Sequence, residues 1–200
     1  LLALPIFAYC DSVVLAETLS AVNHHDGDYR KVLSMEELRA EYMGRSKGFK
    51  TIFIGQLRGE NATPENTRLL MGLLLLHDLV PWETQMHGAT ARRILTTIDR
   101  RFDVGDTHYY PYFKDGTPAS IAGEDLHVSL YRRPDGRTLA VVLNMSDTNL
   151  RSWLRIAPEA LGRDAVSRAY DIENDMDFPR EGNAVHVVVR AGDFRLVEIR

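Results

Sequence analysis

The chain has 200 residues, 44% of them hydrophobic, enough to bury a core and to argue against a disordered chain. Its 24 basic and 28 acidic residues give a formal charge of −4 with the arginines scattered, so the basic stripe of a nucleic-acid binder is missing. Cys10 is the one cysteine, which excludes an internal disulfide and a cysteine-built zinc site.

The apolar opening, LLALPIFAYC, is about half the length that crosses a bilayer, and no basic segment precedes it. It reads as a buried segment with no membrane role. Because the chain opens on Leu1 with no cap or turn before this run, the reading is of a C-terminal piece of a larger protein. Residues 12–17 (SVVLAE) read as a first buried strand. Ser34 with Glu37 three residues on forms a capping box, which predicts a helix running to about Met43 and stopping at Gly44. Residues 51–57 (TIFIGQL), β-branched and bounded by Gly48 and Gly59, are the second strand. Thr63-Pro64 then starts a helix to Leu76, apolar nearly all round and so covered on several sides. Residues 79–84 (LVPWET) make a third strand, weakened by Pro81. A last helix fits residues 90–101, with Ile94, Leu95, Ile98 and Phe102 on one face. Three strand-then-helix units in succession imply a parallel sheet covered by helices.

After about Gly105 the period changes. LHVSLYRR and TLAVVLNM, separated by Pro134-Asp135-Gly136, form a hairpin. NLRSWLRI, AVSRAYDI, AVHVVVR and DFRLVEIR add four short strands, as in a small antiparallel sandwich. The expected organisation is α/β over residues 1–104 and all-β over residues 105–200.

Ligand sites of parallel sheets lie at the carboxyl ends of the strands. That rule selects Glu17 after the first strand, the stretch NHHDGDY that follows it with His24, His25, Asp26 and Asp28, Gln56 after the second strand, and Trp82 with Glu83 after the third. Carboxylates and amides bind sugar hydroxyls directionally, an aromatic ring covers the sugar's C–H face, and glycosidic hydrolysis needs two carboxyl groups flanking the bond. Glu17 and Asp28 are the catalytic candidates; His24, His25, Asp26, Gln56, Trp82 and Glu83 are candidates for substrate binding. Each has a plainer alternative. Glu17 can hold a loop, Trp82 can pack in the interior, and the stretch around Gly27 can be a polar turn or, with its histidines and aspartates, a metal loop. Adjacent histidines seldom converge on a metal without distant ligands, so no metal is expected. His77-Asp78 reads as a helix end rather than a catalytic pair. No nucleophile elbow, phosphate loop or zinc-protease motif occurs, and no cofactor is implied. Asn61-Ala62-Thr63 and Asn144-Met145-Ser146 match the glycosylation sequon.

The succession YCDSVVLAE, LRAEYMGRSKGFKTIFIGQL, NTRLLMGLLLLHDLVPW, VSLYRRPDGRTLAVVLNMSD and GDFRLVEIR resembles the C-terminal part of large bacterial glycoside-hydrolase-like proteins similar to glycoside hydrolase family 123. The resemblance covers nearly all of the chain. It implies the last three strand-helix units of a (β/α)8 barrel followed by a β-sandwich, a carbohydrate substrate, and Glu17 as a strand-end acid. It also implies that the acid pair of better-known relatives lies on an earlier strand, outside this sequence. The alternatives are a non-catalytic carbohydrate-binding or scaffold protein of the same architecture and, less favoured, a metal-dependent hydrolase using the His-Asp loop.

Overall fold

A computed structural model describes residues 10–44, 48–162 and 164–200. The apolar opening therefore lies outside the described residues except for Cys10. The chain divides into two compact units, Leu1–Arg92 and Arg93–Arg200. Among the described residues, no helix is long and apolar enough to cross a membrane.

Among the described residues, the first unit holds a three-stranded parallel sheet. Strand β1 (Ser12–Leu15) pairs with β2 (Lys50–Ile54), which pairs with β3 (Val80–Trp82). The strands are shorter than their sequence patterns suggest, because each chain leaves the ladder at its carboxyl end: Ala16 turns into the left-handed region at φ 77, and a 3-10 turn takes over at Glu83. Side chains alternate across the sheet. Phe53 on β2 is fully buried under the rings of Tyr29 and Tyr42, with centroids 6.1 and 5.3 Å away. The opposite face carries Val14, Ile52 and Val80 in one row of register, and Val14 and Val80 stay 41% and 40% exposed. Trp82, two residues beyond Val80, is 41% exposed on that face.

Helix α1 is a correction to the expected helix. The capping box is present, with Ser34 Oγ accepting from the Glu37 N–H and Glu37 accepting from the Ser34 N–H. Only Met35–Glu37 is α-helical, and Leu38–Tyr42 continues as a π-helix ending at Met43. Helix α2 (Pro64–Leu76) matches its sequence pattern closely. Thr63 accepts from the Asn66 N–H, Pro64 takes the first helical position, and Leu69 through Leu76 are all buried. His77 closes it, buried, with Nδ1 2.7 Å from the Leu73 carbonyl.

Helix α3 (Gly88–Arg101) straddles the division between the units. In the second unit its C-terminal end is held by arginines. Arg133 donates to the carbonyls of Phe102 and Asp103, while Arg137 donates to the Arg101 carbonyl and lies over the Phe102 ring. Cations at these carbonyls satisfy groups that a helix end leaves open.

The remaining strands are β4 (His108–Tyr110), β5 (Ala119–Ile121), β6 (Leu126–Arg132), β7 (Thr138–Asn144), β8 (Leu150–Ile156), β9 (Ala169–Asp171), β10 (Met176–Asp177), β11 (Arg180–Glu181), β12 (Ala184–Val189) and β13 (Phe194–Ile199). They form two antiparallel sheets, six strands in the order β10-β9-β13-β7-β6-β4 and four in the order β11-β12-β8-β5. Leu126, Val128, Leu130, Ala140 and Val142 of the first sheet share one core with Leu154, Ile156, Val185, Val187 and Val189 of the second. The hairpin at residues 134–136 forms as read, with Gly136 at φ 88. Four short strands, β4, β5, β10 and β11, carry too little alternation to be seen in the sequence. Glu198 on the central strand β13 is buried against Arg137 and Arg200.

Candidate functional site

The opening of NHHDGDY is not a loop but the end of a 3-10 helix, Leu19–His25, anchored by buried Val22. Asp26 and Gly27 then reverse the chain with φ 56 and 78. A dense polar network ties this reversal to the segment after β2. Asn23 Nδ2 donates to the Gln56 carbonyl at 2.7 Å, and Asn23 Oδ1 accepts from the Arg58 N–H at 3.0 Å. Asn61 donates to the Asn23 carbonyl, and Asn66 Nδ2 to the carbonyls of Asp26 and Asn61. A Cβ on Gly27 would meet Asn66 Nδ2 and stand 3.0 Å from the Asn61 carbonyl oxygen, so the crowding adds to the preference for glycine that φ sets.

Within this knot the sequence candidates separate. Asp28 caps the short turn Tyr29–Lys31 and binds the Arg30 guanidinium through both oxygens at 2.9 and 2.8 Å. Burial pushes its carboxyl up, but the Arg30 hydrogen bonds and charge, with the Lys31 charge, outweigh that and hold it below the ordinary value. Tyr29 is buried, and its hydroxyl accepts from the Gln56 N–H; burial pushes this phenol up to about 12 against the effect of that hydrogen bond. The Gln56 side chain is buried, its Oε1 accepting from Arg58 at 2.7 Å. His24, His25 and Asp26 are exposed. Among the described residues, no group of three or more His, Cys, Asp or Glu side chains is placed to hold a metal ion.

A cleft of about 280 Å³ lies at the carboxyl end of β1, lined by Val14, Leu15, Ala16, Glu17, Thr18, Glu41 and Tyr42. Two unusual backbone features shape it. Ala16 is buried at φ 77, a conformation that an alanine adopts at an energetic cost of about 1 kcal/mol or more, and it turns Glu17 off the strand. The π-helical turn Leu38–Tyr42 brings Glu41 and Tyr42 to the other wall. Burial, then the charges of Glu41 and Glu37, raise the Tyr42 phenol above its ordinary value. The cleft thus pairs two carboxylates with a phenol at a strand end. Glu41 and Tyr42 were missed in the sequence because an α-helix was expected there. The one available signal was the acidic-aromatic pair just before the glycine stop.

At β3, Trp82 is half exposed and Glu83 opens the turn Glu83–Gln85. The Gln85 carbonyl accepts from the Leu57 N–H, joining the segments that follow β2 and β3. Among the described residues, Gln85 Oε1 is a buried side-chain acceptor with no hydrogen-bond partner. Both sequon asparagines are engaged: Asn61 as above, and Asn144, fully buried, with Nδ2 donating to the carbonyls of Thr148, Val189 and Arg190.

No protein-family model matches the chain, and no curated protein matches it in sequence. Its structure is similar to that of a β-L-arabinopyranosidase of glycoside hydrolase family 27 from Geobacillus stearothermophilus, with TM-score 0.57 and 12% identity over 94% of this chain and 44% of that one. It is similar also to a noncanonic maltogenic α-amylase from Thermotoga neapolitana, with TM-score 0.58 and 11% identity over 94% of this chain and 50% of that one. A third likeness is to α-galactosidase I from Mortierella vinacea, with TM-score 0.52 and 11% identity over 76% of this chain and 40% of that one. The chain spans half or less of the length of each of these structures. At such identities the likeness is one of fold alone.

Proposed function

We propose that the chain belongs to a protein that cleaves glycosidic bonds of a carbohydrate by carboxylate acid/base catalysis, with residues 1–104 in the wall of a (β/α)8 barrel and residues 105–200 as a C-terminal β-sandwich. The barrel reading is supported by the open row Val14, Ile52 and Val80. An apolar sheet face opposite the buried Phe53 side is what the inner face of a barrel presents before neighbouring strands close around it. The order of sequence motifs supports a relative of glycoside hydrolase family 123.

The chemical reading is carried by the cleft after β1, where Glu17 and Glu41 stand with Tyr42. Glycosidic hydrolysis uses two carboxyl groups, one to protonate the leaving oxygen and one to act as base or nucleophile. In this reading Glu17 is a catalytic carboxyl, Glu41 its partner or a ligand for a sugar hydroxyl, and Tyr42 a protonated donor at neutral pH. Trp82, exposed on the same sheet face, covers a sugar ring. Glu83, His24, His25 and Asp26 bind hydroxyls, and buried Gln56 acts through its contact with Arg58. Asp28 is reassigned to holding the loop, because both of its oxygens are bound by the Arg30 guanidinium.

The test is hydrolysis of a panel of aryl glycosides by a longer protein that carries the remaining barrel strands, unaltered and as Glu17→Gln and Glu41→Gln. Loss of turnover by about 100-fold or more in Glu17→Gln, with an unchanged melting temperature, is expected. Wild-type turnover in both variants removes the cleft from catalysis. Carbohydrate binding without turnover by the unaltered protein favours the non-catalytic binding protein instead.

A further inference from the structure

The four-stranded sheet of the second unit turns one face to the shared core and the other outward. On β8 the outward residues are Arg151, Trp153 and Arg155, alternating with Ser152, Leu154 and Ile156. On β12 they are Ala184, His186 and Val188. Register sets Trp153 opposite His186, Arg151 opposite Val188, and Arg155 opposite Ala184. The Trp153 and His186 rings lie 5.2 Å apart at an interplanar angle of 56°, and Val188 is 40% exposed. Ser120 of β5 stands beyond Arg155, and Glu181 of β11 beyond Ala184. Among the described residues neither Arg151 nor Arg155 has an ion-pair or hydrogen-bond partner, although most other arginines of this unit are committed to carboxylates or carbonyls. The result is a flat aromatic centre with an uncompensated guanidinium two residues to either side, each about 6–7 Å along the strand.

We propose that this outer face binds an anionic polysaccharide, one bearing carboxylates on its sugar rings. The site rests on the carbohydrate reading above but is separate from the cleft after β1. The apolar C–H face of a sugar packs on the Trp153 ring, whose π-face is electron-rich, and His186 supports that ring from the neighbouring strand. Arg151 and Arg155 take the carboxylates of flanking sugars, which their planar forks match bidentately. Two cations about 13 Å apart suit charges carried on separate sugar units better than the one charge per about 3.4 Å of a nucleic-acid strand. Glu181 on the same face and the net charge of −4 further disfavour a phosphate polymer.

Binding of the full chain to polygalacturonate, to a neutral galactan and to single-stranded oligothymidylate, measured by calorimetry at low and high salt, tests the proposal. Polygalacturonate is expected to bind best, with an affinity that falls as salt rises. Trp153→Ala should weaken it roughly tenfold or more, and R151A/R155A should reduce it to the level of the neutral galactan. Trp153→Tyr, which keeps a ring and guards against a folding defect in the alanine variant, should retain most of the affinity. Equal binding of the three polymers, or unchanged polygalacturonate affinity in Trp153→Ala or R151A/R155A, overturns the proposal. Binding is read without turnover, so an inactive cleft leaves this result intact, and a catalytically active protein that fails to bind polygalacturonate refutes only the outer-face site.

Discussion

Asp28 shows how a residue type that suits catalysis can be committed elsewhere. Its two oxygens are taken up by Arg30, and one of them also accepts from the Arg30 N–H. The carboxyl is held below its ordinary value of 3.8 in the folded chain. A depressed carboxylate contributes stability that is fully present above the unfolded value, near pH 4, and is lost as pH falls through the folded value. Asp28→Asn should therefore lower the urea midpoint at pH 7, and the gap from the unaltered chain should narrow as pH is taken below about 4. A gap that stays constant down to acid pH would mean that the Arg30 pair contributes nothing to folding. At this scale the sequence offers Asp28 as a catalytic candidate after the first strand, and nothing in the spacing of Asp28 and Arg30 reveals which carboxylates of the stretch are already paired. Glu17 is different: the residue before it, Ala16, is forced to positive φ, and its own side chain is exposed at the cleft.

Among the elements, α2 and the π-helical turn mark the two extremes of legibility. Helix α2 has a threonine cap, proline at its first position and an apolar body, and local signals and burial agree throughout. Thr63→Ala should lower stability by about 1 kcal/mol in chemical denaturation, with Thr63→Ser restoring most of it. An unchanged midpoint would show that packing alone sets where α2 starts. The helix after Ser34 has an equally good cap, yet only one α-turn forms before the backbone widens. Its hydrogen bonds shift to the wider pattern, with the Met43 N–H bonding to the Leu38 carbonyl. This widening carries Tyr42 onto Phe53 and Glu41 into the cleft. Such insertions recur at functional sites, and they leave no mark in a capping signal.

For the molecule as a whole, the open row on the parallel sheet is the feature with the widest consequence. Val14 and Val80 are exposed, so replacing each with threonine, which keeps the β-branch, should change the stability of this 200-residue chain by no more than about 0.5 kcal/mol. Phe53→Ala on the covered face should cost about 3–5 kcal/mol. If Val14→Thr and Val80→Thr together cost as much as a buried hydroxyl, about 1–3 kcal/mol or more, the row is covered and the barrel-wall reading loses its support. The same pair of variants in a longer chain containing the proposed remaining strands should become destabilising. That reversal would tie the open face to barrel closure.

Periodicity and local chemistry carried the order of elements: short apolar, β-branched runs for the parallel strands, period-two alternation for the hairpin, caps for α2, and the shift to short alternating strands after Gly105. These are properties of neighbouring residues, so one chain of letters contains them. Where the strands end, how the β-strands divide into sheets of six and four, and which carboxylates face a common cleft depend on residues distant in sequence. Asn23 finding Gln56 and Asn61, Arg137 finding Glu198, and Tyr42 finding Phe53 are each long-range pairings that no local pattern specifies. The candidate site was legible as a rim, because strand ends can be counted. Its membership was not, because a positive φ at Ala16 and a widened helical turn arise from packing around them.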